Sequence, residues 1–226
     1  MVILIDYKSL IELVKNRRGI RRFKTDSFPD DYIEKIIDVA CQAPSGFNMQ
    51  PWEFVVIRDK ELRKKIVELF PPLGPADAAN DFRVAPVYII QLGDPRAKAG
   101  LPDFIAASEK MNEPVFISSL ASSFLYMALA ATSLGLTCQW LSVAGSPQVQ
   151  TGLKKLIKIP VLYKIYDMMA LGYPAAEAAP KLLKEKRDIV HYDHCEESEF
   201  RSDEDIAEFA KKTKKWTLSQ AKIMKG

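Results

Sequence analysis

From Pro114 to Leu153 the chain carries no charged side chain. A stretch of that length has to be buried, and whether lipid or protein buries it decides the architecture of everything else. Within it, "VFISSLASSFLYMALAATSLGL" is long enough to span a bilayer. Yet Ser119, Ser122, Ser123, Tyr126 and Ser133 recur at roughly helical spacing and form a polar stripe, and no Lys or Arg stands close to either end as a membrane anchor. The segment therefore reads as a buried central helix, rich in small residues and suited to close packing against another helix. No membrane partner is expected.

A helix buried on every side needs the rest of the chain to enclose it. With 226 residues and 48% apolar content the chain suffices for one large layered domain, favoured over two small ones. The 32 basic and 29 acidic residues nearly cancel, so there is no global field of the kind non-specific nucleic-acid binders use. "MVILIDYKSL" lacks the basic, apolar and small-residue regions of a secretory signal, and a cytoplasmic location is the expectation. Cys41, Cys138 and Cys195 are odd in number and far apart, which fits a reducing compartment better than a disulfide framework.

Along the chain, helical and strand patterns alternate. Leu10, Ile11, Leu13 and Val14 place an amphipathic helix over Tyr7 to Arg17, and "FPDDYIEKIIDVACQAP" reads as a second, with Pro29 and Asp30 at its start and Pro44 stopping it. "WEFVVIRD" is a strand, Lys60 to Phe70 a charged helix, "PPLGPADAAN" a loop, and "APVYIIQLGD" a second strand. A polar excursion from Asp94 to Asn112 precedes the central helix. Then come "LTCQWLSVA" as a strand, "PQVQTGLKKLIKI" as a helix and "YDMMALGYP" as a fourth strand. Such alternation predicts an α/β or α+β layered domain. The tail from Ala175 to Asp193 is basic, poor in core residues and too long for a frayed end, as an arm embracing a partner would be. "DEDIAEFAKKTKKW" beyond it is a helix whose acidic start and basic end suit the helix dipole.

Several chemistries are excluded. None of the ten glycines lies two residues from another, so there is no GxGxxG, and neither a P-loop nor a GxSxG elbow is present. The two histidines, His191 and His194, crowd with Cys195 in "HYDHC", which reads as a solvated tail, so no metal site is expected.

Two regions remain. In "RRGIRRF", read as a helix end, Arg17 and Arg21 share a face at i,i+4, as do Arg18 and Arg22, while Gly19 lets the backbone approach an anion closely. Guanidinium forks bind phosphate oxygens by paired, charge-assisted bonds. A solvated face of surface salt bridges is the plainer alternative. Nucleic-acid binding through this run and "KKTKKW", Lys211 to Trp216, is disfavoured by the charge balance. The second region is "APSGFNMQPWEFVV", where a turn bearing Ser45, Gly46 and Asn48 offers hydroxyl and amide groups to a flat heteroaromatic ring.

Taken together and in order, "RRGIRRF", "APSGFNMQPWEFVVIRD", "FRVAPVYIIQLGD", "LAATSLGLTCQWLSVAG" and "MMALGYPAAEAAPK" resemble the nitroreductase family of FMN-dependent oxidoreductases, over Arg17 to about Asp193. The resemblance implies an α+β fold: a three-layer α/β/α sandwich with a mixed, mainly antiparallel sheet and a C-terminal arm exchanged in a homodimer. Residues 1–195 would form the FMN-binding domain with its arm, and 196–226 a C-terminal helical extension. Carried over by position, Arg17, Arg18 and Gly19 look like phosphate and ribityl contacts, and Arg21 like the cation near flavin N1 and O2. Pro44, Ser45, Gly46 and Asn48 would reach the flavin across the interface, Ser142 and Val143 would flank its N5 edge, and Asn80 and Arg83 would be further ring contacts. Gly19 stands where the family has serine. A Lys-x-Arg pair usual after GYP is missing from "APKLLKEKRD", which leaves Lys181 or Lys184 for the phosphate. The activity implied is hydride transfer from NADH or NADPH, through flavin N5, to a small acceptor of aromatic, nitro or quinone type, with no obligate acid or base. Phe47, Phe70 and Phe104 are candidates for lining the pocket. Reductive dehalogenation of aromatic substrates and flavin consumption are the specialised alternatives.

Overall fold

Four segments rich in β-branched, aromatic and large apolar residues pair into one sheet in the computed structural model, which describes residues 6–71, 82–178 and 180–223. They are β1 (Trp52–Ile57), β2 (Val87–Gly93), β3 (Thr137–Leu141) and β4 (Lys164–Gly172), in the order β1-β2-β4-β3. All seven residues of β2 are buried, which explains why it reads as an almost unbroken apolar run rather than an alternation. The expected mixed sheet is corrected here: among the described residues every pairing is antiparallel. The reason lies in the connections. The chain crosses the sheet once, between β2 and β3, making those two strands parallel, and β4 then inserts between them and removes the only parallel contact.

Helices cover both faces. On one, α3 (Lys60–Glu68) and α6 (Pro147–Ile157) lay Ile66, Val149 and Leu153 against Tyr88, Ile90, Met168 and Ala170. On the other, α2 (Asp31–Cys41) and the central helix α5 (Glu109–Ser133) bring Ile33, Ile36, Phe124, Met127 and Ala131 onto Val87, Ile89, Met169 and Leu171. The excursion before α5 is itself partly helical, with a tight turn over Pro95–Gly100 and the short α4 (Asp103–Ala106).

Small side chains let α5 approach the sheet: Ser119, Ser123, Ala128 and Ala131 are all buried. Its other flank leaves Met111, Ile117 and Leu125 exposed, so it is apolar all round but covered on one side by its own chain. α5 is long and apolar enough to cross a membrane, and half of its most apolar window is buried in this fold. Helix α1 (Tyr7–Asn16) buries no residue and exposes Tyr7, Leu10 and Val14.

The residues from Glu177 onward belong to a separate compact unit. Its helix α7 (Asp203–Ile223) carries Trp216, whose indole N–H donates to the Pro180 carbonyl at 2.9 Å, and Phe209, with the cations of Lys184 and Arg201 over its ring. His191 stacks on Phe200 with centroids 4.8 Å apart.

Candidate functional site

The arginine run is not a helix end, which corrects the i,i+4 arrangement expected for it. Helix α1 stops at Asn16, and Arg17 caps it with extended backbone, φ −63° and ψ 106°. Beyond it the chain is pinned from the sheet side. The Thr137 hydroxyl reaches the Ile20 carbonyl at 3.5 Å, the Ala175 N–H donates to the Arg22 carbonyl at 3.0 Å, and the Lys24 N–H donates to the Tyr173 carbonyl at 2.9 Å. Phe23, bridged to Pro174 and 5% exposed, is the anchor. Glycine and a β-branched isoleucine within the run lower its helix propensity, and these contacts complete the change.

All four arginines are half-buried, yet none forms an ion pair or a side-chain hydrogen bond with any described residue. A face of surface salt bridges is therefore not what this run makes of itself. Around Gly19 a Cβ would meet nothing within 4 Å, so the backbone there is open to an incoming group. Arg17 lies near enough to Cys138 to favour its thiolate, although burial dominates and holds that thiol up at about 11.

The second region follows α2. Ser45 is extended, and the tight turn Gly46–Asn48 then holds three non-glycine residues at left-handed φ: Phe47 at 53°, Asn48 at 55° and, just after it, Gln50 at 43°. Each such residue costs of order 1–3 kcal/mol, and such strain persists only where the surroundings impose it. Here they do. The Gly46 N–H donates to Ser119 Oγ at 3.1 Å, the Ser119 hydroxyl donates to the Val115 carbonyl at 2.7 Å, and the Gln50 N–H donates to Ser45 Oγ at 3.1 Å. A Cβ on Gly46 would stand 2.2 Å from Val115 Cγ1, so only glycine fits against α5. Pro44 and Asn48 are exposed along this loop, as is Phe47 at 58%.

Ser142 and Val143 begin the turn Ser142–Gly145 that leaves β3. Behind it stands a residue that sequence reading did not single out: Asp167, 5% exposed within β4. It accepts hydrogen bonds from the Trp140 indole N–H and from Ser142, and burial nevertheless pushes its carboxyl up to about 6. The available signal was one acid inside the apolar run "IYDMMALG". A cavity of ≈ 560 Å³ opens between this turn and α5, lined among others by Ser142, Gly145, Phe116, Leu120 and Tyr166.

The remaining candidates are dispersed. Arg83 is exposed, its guanidinium carbon 5.4 Å from the Phe82 ring centre, and Asn80 lies outside the described residues. Lys181 and Lys184 belong to the second unit. Phe70 is a core residue packed on Phe82, while Phe104 is 68% exposed.

The arginine segment and the Ser45–Gln50 loop lie at opposite ends of the sheet. The loop enters β1 at Trp52, whose end of the sheet also holds Gly93 and Lys164, whereas Thr137 and Tyr173 belong to the other end. Along α5 the loop docks at Ser119, and Thr137 follows Ser133, a separation of about 21 Å at 1.5 Å per residue.

Comparison with known proteins fits these features. Residues 14–173 match the family model described as Nitroreductase family. The chain is 41% identical over 172 residues to the iodotyrosine deiodinase of Thermotoga neapolitana, covering 74% of this chain and 89% of that one. It is 26% identical over 231 residues to the NAD(P)H FMN reductase of Bacillus subtilis, covering 94% and 89%. The solved structure of an FMN-dependent nitroreductase from Clostridium difficile superposes with a TM-score of 0.65 at 24% identity, covering 82% and 99%.

Proposed function

The chain belongs to the nitroreductase family of oxidoreductases, and from that membership we propose that it binds FMN and uses NAD(P)H to reduce a small aromatic, nitro or quinone-type acceptor. One observation carries this reading: four half-buried arginines stand within six residues with no carboxylate paired to them among the described residues. Cations held so, beside open backbone at Gly19, fit a phosphate monoester. Arg17 and Arg18 take that role, and Arg21 would face the pyrimidine side of a bound ring. The hydroxyl and amide groups of Ser45 and Asn48 suit the flat ring itself.

Because the loop and the arginine segment stand so far apart within one chain, a mononucleotide touching both needs two copies, each giving one half of the site. The exposed apolar flanks of α1 and α5 supply the surface for that homodimer. When bound, FMN supplies the chemistry of hydride acceptance and donation. Arg21 would offer a fixed positive charge to the bound ring, which would favour its anionic reduced form without reorganisation. Ser142 and Val143 provide the backbone beside the N5 edge. Donor and acceptor use one place in turn, consistent with a sequence that has no dinucleotide fingerprint.

The test is direct. Purified protein is expected to be yellow with FMN, to bleach anaerobically on addition of NADH or NADPH, and to lose the flavin in Arg18→Ala and Arg21→Ala. Full flavin content in both variants counts against the assignment. The 41% identity to a deiodinase favours one second reading, reductive dehalogenation. Halide release from a halogenated phenol by the reduced protein selects it over nitro or quinone reduction.

A further inference from the structure

Asp167 is the one buried carboxyl among the described residues, and no cation stands beside it. Directly across the strand pair is Gln91, 0% exposed, whose amide nitrogen and oxygen have no partner among the described residues. Ser123 Oγ is likewise unpartnered. Helix α5 lies over this part of β2, for a Cβ on Gly93 would stand 2.6 Å from Phe116 and 2.8 Å from Leu120. From Pro114 to Ser133 that helix brings no charge, its one titratable group there being Tyr126. The other titratable groups on the strands around Asp167 are Tyr166, its neighbour, and Cys138 on β3, whose ionisation burial opposes, with Tyr88 on β2 and Lys164 on β4, the latter paired with Glu113 at the start of α5. A carboxylate in such a place is retained by its two hydrogen bonds alone, from Trp140 and Ser142. Both donors flank Leu141, where β3 turns toward Gly145.

Resting on the reading of the preceding subsection, we propose that Asp167 is a positioning residue: by accepting from Trp140 and Ser142 it ties the Leu141–Gly145 turn to the centre of the sheet and shapes the wall against which FMN lies. The ionised form makes the stronger tie, since hydrogen bonds to a charged acceptor are roughly twice as strong as neutral ones. Burial holds the carboxyl at about 6, so the tie loosens as pH falls through that value. Trp140 reports it, its ring tilted at 39° to that of Phe124 with centroids 4.2 Å apart and its N–H on the carboxylate.

The experiment places Trp140 alone by Trp52→Phe and Trp216→Phe and follows its emission in flavin-free protein from about pH 4.5 to 8. A sigmoidal change centred near pH 6, abolished by Asp167→Asn, is expected. FMN affinity is then measured at pH 7.5: Asp167→Ala is expected to weaken it about tenfold, equivalent to about 1.4 kcal/mol, while Asp167→Asn, which keeps a neutral acceptor, recovers most of the loss. Flat emission in the parent, a titration that survives Asp167→Asn, or unchanged FMN affinity in Asp167→Ala overturns the proposal. If Asp167→Ala fails to fold, the titration and the Asn variant decide alone. A parent that titrates normally but binds no FMN overturns the cofactor assignment and leaves the tie between carboxylate and turn standing.

Discussion

At Asp167 burial and hydrogen bonding pull in opposite directions. Burial raises the carboxyl, the bonds from Trp140 and Ser142 lower it, and burial prevails at about 6 against 3.8 for an ordinary aspartate. The native state therefore holds this proton more tightly than the unfolded chain does. Stability from this group is fully present below about pH 4, is lost as pH rises toward 6, and stays lost above it. The difference amounts to at most about 3 kcal/mol at 1.4 kcal/mol per pH unit. Asp167→Asn is accordingly expected to be more stable than the parent at pH 7.5 by up to that amount, and no more stable at pH 4, by urea denaturation at the two values. A gain in stability in Asp167→Asn would mark the aspartate as one retained at a cost to the fold. Legibility at this level was uneven. "RRGIRRF" and "APSGFNMQPW" announce themselves by residue type. One aspartate in a strand pattern does not, because its meaning depends on Gln91, Trp140 and Ser142, which lie far from it in sequence.

Among the elements, the Ser45–Gln50 loop shows how tertiary contact overrides local preference. Nothing in "SGFNMQ" requires phenylalanine and glutamine to adopt left-handed backbone, since only glycine and, to a lesser extent, asparagine visit that region readily. The conformation is imposed by Ser119 and by the contact of Gly46 with Val115. Val115 is β-branched and stiff within a helix, so it cannot swing aside. Gly46→Ala is expected to destabilise the protein by about 1–3 kcal/mol through overpacking, and Val115→Ala in the same chain to restore most of it, both measured by chemical denaturation. The arginine run fails as a helix for the converse reason. Its periodicity is compatible with one, but the contacts of Phe23, Thr137 and Tyr173 hold it against the sheet without helical structure. The strands and long helices were readable because hydrophobic period and breakers agreed there.

For the whole molecule, the homodimer proposed above carries its own test. Sedimentation is expected to give a dimer, and Ile117→Glu with Leu125→Glu a monomer that has lost its flavin. Retention of FMN by that monomer would show that one chain completes the site. The charge-free stretch already required a buried helix, and the run of strand and helix patterns already required layers around a sheet, because both follow from which side chains water rejects and at what spacing they recur. The direction of each strand, the insertion of β4 between β2 and β3, and the placing of arginines and loop at opposite ends of the sheet depend on contacts between residues distant along the chain. Local pattern holds no record of those contacts, since it is the packed fold that brings such residues together.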